Sequence, residues 1–336
     1  MIGAKEWILK TISHEETYKV PFHFDFAPPA RVKLEKHYGP ELIERDFDSP
    51  VRWMMPNTVK PIYATPDIYG KYLKDEFGVV WILSMYDRGT PIPVLNKPSL
   101  DEYTFPDPKA AYRFENLEKM CNQRNGFFRL ILIGDLWERA TFMRGMENIL
   151  LDLVLNKKFF FRLLRGITDY MLETMQILND RFDFECFFLS DDYGSQKSLL
   201  MSPDHWMSCI KPFLNEVIKT AKDFGKFMML HSCGHIQPIV RDLIDMGLDI
   251  LHPIQPEAND IFKLKREFGK YLTLNGGLRT QDLLPLGSRK DIVSEVKKLK
   301  NKMGKHGGYI LEPGITIQGD VPIDNLITMV EEVREN

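Results

Sequence analysis

Cysteine is scarce in this 336-residue chain: only Cys121, Cys186, Cys209 and Cys233, too few and too scattered for the disulfide framework of a small secreted domain. Each is left to serve as core filler, reactive thiol or metal ligand. Charge of one sign is also lacking. The 44 Lys and Arg against 47 Asp and Glu give a formal net charge of −3 and no basic field to hold a phosphate backbone, so nucleic acid is not an expected partner. Long apolar runs are missing too. The best, residues 149–155, contains Asp152 and runs into Lys157 and Lys158, well short of the ~20 residues a membrane helix needs. The amino terminus, MIGAKEWILKTISHEE, lacks the basic start, apolar stretch and small-residue cleavage site of a secretory signal, which makes the cytoplasm the expected location. What is present is globular: 44% hydrophobic and 27% charged residues are enough to bury a sizeable core.

The second half has the clearer rhythm. Apolar runs at 185–189, 227–230, 250–252, 271–274 and 309–311 have strand length and are bounded by Gly, Pro, Asp or Asn. Between them lie helix-like segments at 203–224, 236–246, 261–268, 280–302 and 322–334, with start signals in Ser202 before Pro203 and Asp260 before Ile261. Strands alternating with helices imply a parallel sheet. The first half is less regular: 127–133 and 79–85 read as strands, and helix is expected from Arg144 through Leu155 and over 158–179. Residues 31–107, rich in Pro and aromatics, read as long loops or insertions. With no linker, low-complexity tract or repeat, one domain over 1–336 is expected. Neither GxGxxG nor GxxxxGK[ST] occurs, which disfavours an open nucleotide-binding sheet. The expectation is a single (β/α)8 TIM barrel with an amino-terminal extension and long loops.

In such a barrel the functional groups follow the strands, and the polar residues stand there: Asp135 and Glu138, Asp191 and Asp192, His231 and Cys233, Gln255 and Glu257, Asn275, Glu312. In MLHSCGH, His231 and Cys233 stand at i and i+2 on a strand end, so an imidazole and a thiol converge on one side. That pair suits Zn2+, which in a catalytic site takes three protein ligands and leaves one position open; a buried thiol beside a hydrogen-bonded imidazole is the plain alternative. Glu312 in YILEPG and Glu257 in IQPEA are the carboxylates placed to complete a metal set. Glu312 ranks first, because a charge directly after an apolar strand and before Pro313 and Gly314 is badly placed without a partner. Glu257 also reads as a helix-start or surface acid.

Asp191 and Asp192 are adjacent on extended chain, so at most one faces the pocket while the other caps a loop or helix. The pocket acid would serve as general acid or base or hold a substrate group. Glu138 lies between a strand and an amphipathic helix, where an ion pair with Arg144 is the plain reading. Arg279, in the turn NGGLRT, would bind a substrate carboxylate, with Gly276 and Gly277 permitting close approach. Asn275, Gln255 and Glu257 complete the substrate-binding candidates.

Read in order, WERATFMRGMENILLDL, SDDYGSQKSLLMSPDHW, HSCGHI, DILHPIQPEA, LKREFG, NGGLRTQDLLPLG and GGYILEPGITIQGDVPIDNL resemble the uroporphyrinogen decarboxylase superfamily from about Gly134 to the carboxyl end. The resemblance implies a (β/α)8 barrel, a homodimer, and one of two chemistries: cofactor-free porphyrinogen decarboxylation, or zinc-dependent methyl transfer with a corrinoid protein as partner. The RQAGR segment that binds tetrapyrrole carboxylates in the decarboxylases is absent; VPFHFDFAPPARVKLEKHYG stands there instead. The His-x-Cys pair resembles that of the coenzyme M methyltransferases, whose third ligand is a distant Cys. Ile315 occupies that place here, three residues after Glu312.

The expected function is therefore a zinc-dependent methyltransferase acting on a small methyl ether, methylamine or thiol and on a corrinoid carried by another protein. His231, Cys233 and Glu312 would hold the metal, and Asp192, Asp191 or Glu138 would orient substrate or move a proton. The alternatives are a metal-free decarboxylase using Asp191 or Asp192 and Arg279, and a binding barrel without chemistry.

Overall fold

Ten strands form in chain order: β1 (Val51–Met54), β2 (Tyr72–Lys74), β3 (Val80–Ile82), β4 (Thr90–Ile92), β5 (Phe128–Gly134), β6 (Cys186–Ser190), β7 (Phe227–His231), β8 (Ile250–Ile254), β9 (Thr273–Leu278) and β10 (Tyr309–Pro313). The computed structural model describes residues 2–335. Seven strands make one parallel sheet in the order β1-β5-β6-β7-β8-β9-β10, with helices between successive members from β5 onward. The sheet curls round its own apolar face. Val51, Phe128, Leu130, Cys186, Phe188, Met229, Ile250 and Ile310, at alternate positions of six strands, form one buried cluster.

The expected eighth strand is not formed among the described residues. Residues 21–26 run beside β10, where the His23 N–H donates to Leu311 O (3.1 Å) and the Leu311 N–H donates to Pro21 O (2.8 Å). On the β1 side a side chain stands in for the ladder: the Ser49 hydroxyl donates to Phe22 O (3.0 Å) and accepts the Val51 N–H (3.2 Å). Pro21 has no N–H to offer a neighbour, one reason this stretch remains outside the ladder. The architecture is thus a curled seven-stranded half-barrel whose gap is bridged by this segment.

Helix Ala4–Ile12 packs Ile8 and Ile12 onto the inner cluster, and its Lys5 pairs with Glu185 (2.7 Å) just ahead of β6. Each of those side chains contributes about 1.5–3 kcal/mol by burial. Arg129 in β5 is buried beneath them and bonds Glu185 and Asp183, each at 2.7 Å. On the outer face, helix Lys157–Arg181 buries Phe160, Leu163, Leu164, Ile167, Met171, Met175 and Leu178, a stripe at three- and four-residue spacing. No described helix is long and apolar enough to cross a membrane.

Residues 79–85 do yield a strand, but β3 belongs to a separate antiparallel sheet with β2 and β4. The helix expected from Arg144 through Leu155 starts at Met146, because Gly145, at φ +87°, ends the preceding helix Trp137–Arg144. The 280–302 segment breaks likewise into Leu283–Leu286 and Arg289–Met303, the second started by a Ser288–Asp291 capping box.

Candidate metal centre and its cavity

The parallel register stacks the site residues side by side. Ser190 pairs with His231, and His231 with His252, so the last residues of β6 and β7 and the middle of β8 stand in one layer above the inner cluster. Two loops then carry the chain past the strand ends: Asp191–Gly194 after β6, and Ser232–His235 after β7. They touch along their glycines. A Cβ on Gly234 (φ +79°) would stand 2.5 Å from the Gly194 carbonyl carbon, and one on Gly194 would stand 2.7 Å from Cys233 O. The Cys233 N–H donates to Asp192 Oδ1 (2.7 Å), the His235 N–H to Ser195 O (2.7 Å), and the Gly234 N–H to Gln255 Oε1 (3.0 Å).

This packing brings Asp192, His231 and Cys233 together, one ligand atom of each within 4.8 Å of the others. His231 Nε2 lies 3.4 Å from Cys233 Sγ and 3.3 Å from Asp192 Oδ1. Burial would lower the His231 imidazole, but Cys233 and Asp192 hold it well above its ordinary pKa. Burial would raise the Asp192 carboxyl, but His231 and the Cys233 N–H hold it below the usual carboxylate range. All three line a cavity of about 700 Å³.

Glu312, expected as third ligand, is not in that group. It is buried at 2% exposure in β10, its Oε1 3.5 Å from His252 Nε2. His252 stands between it and His231, with His231 Nδ1 3.0 Å from His252 Nδ1. Asp192 is the third member of that group instead. Burial lowers His252 against the pull of Glu312; burial would raise Glu312, but the facing His252 and His23 rings hold it below its ordinary value.

The adjacent aspartates diverge as extended backbone requires. Asp191 turns inward, accepting the N–H groups of Trp137 (3.1 Å) and Glu138 (2.7 Å) at the start of helix Trp137–Arg144 and the Tyr193 hydroxyl. Burial pushes its carboxyl up to about 8 against those bonds. Asp191 does not line the cavity. Glu138 does, and its ion partner is Arg88 (2.6 Å), not Arg144, which pairs with Asp152 (2.7 Å). Burial pushes Glu138 up to about 7; Arg88 pulls it down, and Asp192 and Asp135 push it further up.

A family model described as uroporphyrinogen decarboxylase (URO-D) matches residues 92–336, more than two thirds of the chain. The chain belongs to the uroporphyrinogen decarboxylase family. No curated protein matches the sequence. Among solved structures, a methyltransferase from Methanosarcina mazei is similar at 16% identity with a TM-score of 0.74, covering 99% of this chain and 98% of its own. A likeness at that identity is one of fold.

Within this family fold, the four residues expected at the substrate lie elsewhere. Gln255 holds the Cys233–Gly234 loop. Glu257 accepts the N–H groups of Thr280 (2.9 Å) and Gln281 (3.1 Å) in the loop after β9. Asn275 donates to Ile310 O (3.2 Å), and Arg279 Nε lies 3.1 Å from Asp282. None of the four lines the cavity. Much of the remaining lining comes from the irregular first half, including Asp25, Lys60, Tyr63 and Arg88, none of which the sequence pattern singles out. Ile315 also faces the cavity.

Proposed function

We propose that this chain is a zinc-dependent methyltransferase, moving a methyl group between a small methyl ether, methylamine or thiol and a corrinoid carried by a partner protein that docks at the open end of the half-barrel. The observation that carries this reading is the convergence of Asp192, His231 and Cys233 on the cavity. An imidazole nitrogen, a thiol sulfur and a carboxylate oxygen are a zinc donor set, and three such ligands leave the fourth position for substrate. When bound there, the ion supplies Lewis acidity toward an ether or amine, or holds a thiol as thiolate.

The chain's own residues do the rest. His231, Cys233 and Asp192 would hold the ion, and the two touching glycine loops keep their spacing. Arg88 holds the Glu138 carboxylate at 2.6 Å on the cavity wall, where Glu138, with its pKa raised toward neutrality, gives or takes a proton at the substrate. The cavity volume suits a small molecule. The metal-free decarboxylase alternative drew on Asp191 or Asp192 and on Arg279; of these only Asp192 lines the cavity, and the carboxylate-binding Arg279 does not.

The test is methyl transfer to reduced cobalamin, followed by absorbance, with zinc-loaded protein and a panel of methyl ethers, methylamines and methylated thiols. Zinc-dependent methylcobalamin formation with one class supports the reading. No transfer with any class, from protein carrying stoichiometric zinc, counts against it.

A further inference from the structure

His231 and His252 are register partners on neighbouring strands, and their rings meet Nδ1 to Nδ1 at 3.0 Å. Two ring nitrogens at that distance share one proton, because two N–H groups or two lone pairs face to face repel. The far side of His252 decides which ring donates. There Nε2 lies 3.5 Å from Glu312 Oε1, and neither Glu312 oxygen makes a full hydrogen bond to the protein although the side chain is 2% exposed. A bare lone pair turned toward that buried carboxylate would be repelled; an N–H is attracted. His252 therefore keeps its proton on Nε2, accepts at Nδ1, and obliges His231 to donate from Nδ1. With Nδ1 engaged as a donor, Nε2, which faces Cys233 Sγ and Asp192 Oδ1, is the one His231 nitrogen placed to give its lone pair to an ion held there.

We infer that Glu312 and His252 are positioning residues for His231, engaging its Nδ1–H from behind so that Nε2 is the nitrogen aimed at an ion among Asp192 and Cys233. This rests on the reading of those three residues as the zinc ligands. The rings are locked as the role requires: Trp53 and Phe188 pack edge-on against His252 at 5.8 and 6.0 Å between centroids. The burial of a carboxylate behind a ligand imidazole gives Glu312 a purpose that direct coordination does not.

Two measurements on the full chain test this. Long-range 1H–15N correlation spectra of 15N-histidine-labelled protein, metal-free and zinc-loaded, should place protons on His252 Nε2 and His231 Nδ1. Competition with a chromophoric chelator should give zinc affinities about 10–100-fold weaker for Glu312→Gln and for His252→Phe than for wild type. Circular dichroism and thermal unfolding establish that each variant is folded. A proton on His252 Nδ1 overturns the inference, as do zinc affinities within about twofold of wild type in both folded variants. If wild type takes up no zinc, the reading of the metal centre fails, and the ring-proton pattern alone then upholds or overturns the role of Glu312.

Discussion

Asp192 accepts the backbone N–H of Cys233 at 2.7 Å and lies 3.3 Å from His231 Nε2, so one carboxylate ties the β6 loop to the β7 loop and stands among the candidate ligands. These two tasks are separable by substitution. Asp192→Asn keeps an oxygen for the Cys233 N–H but removes the anionic donor. The expected result is a folded protein, somewhat less stable for loss of the carboxylate's charge, with zinc affinity lowered by at least about tenfold, read by chelator competition. Unchanged affinity would assign Asp192 a purely structural role.

The glycine contact makes a second prediction. A side chain at Gly234 would adopt φ +79° and would meet Gly194 and Ser195 backbone atoms at 2.5–2.6 Å. Backbone strain alone costs about 1–3 kcal/mol, before any movement of the loops. Gly234→Ala should therefore lower the thermal unfolding midpoint and weaken zinc binding together. A variant with wild-type midpoint and affinity would mean that the loops are not held in this register.

The opposite end of the sheet gives a prediction about pH. Burial raises the Glu185 carboxyl, but the bonds from Arg129 and Lys5 outweigh it, so its folded pKa lies below its unfolded one. A group depressed on folding contributes stability above its unfolded pKa and loses it as pH falls through the folded value. The stability gap between wild type and Glu185→Gln should be complete at neutral pH and shrink below about pH 4.5 in denaturant titrations. Arg129→Met, which leaves Glu185 buried at 10% exposure without its main partner, should cost about 3–5 kcal/mol at pH 7. A gap that widens on acidification would contradict this.

The strands from β6 onward are legible in the sequence because each is a short apolar run closed by a turn residue, and parallel strands buried on both faces leave that trace. Their ends carry His231, Cys233 and Asp192, so the period-two rule also locates the core of the site. Glu312 shows where that rule stops. Strand-end position does not say which neighbour lies between, and only the register reveals His252 standing between Glu312 and His231. The lining built by residues 21–26 and by Lys60, Tyr63 and Arg88 is not legible. Its backbone is organised by single contacts, such as Ser49 to Phe22, rather than by any periodic pattern. Arg279 and Glu257 also follow strands, but their bonds are to nearby loop groups and neither lines the cavity.

The most direct test of the central claim is the metal content of purified, tag-free protein by elemental analysis, beside the His231→Ala and Cys233→Ala variants. The account predicts about one zinc per wild-type chain, and its loss in both variants without unfolding. Stoichiometric zinc retained in both variants, or none taken up by wild type after zinc is added and the excess removed, would contradict it.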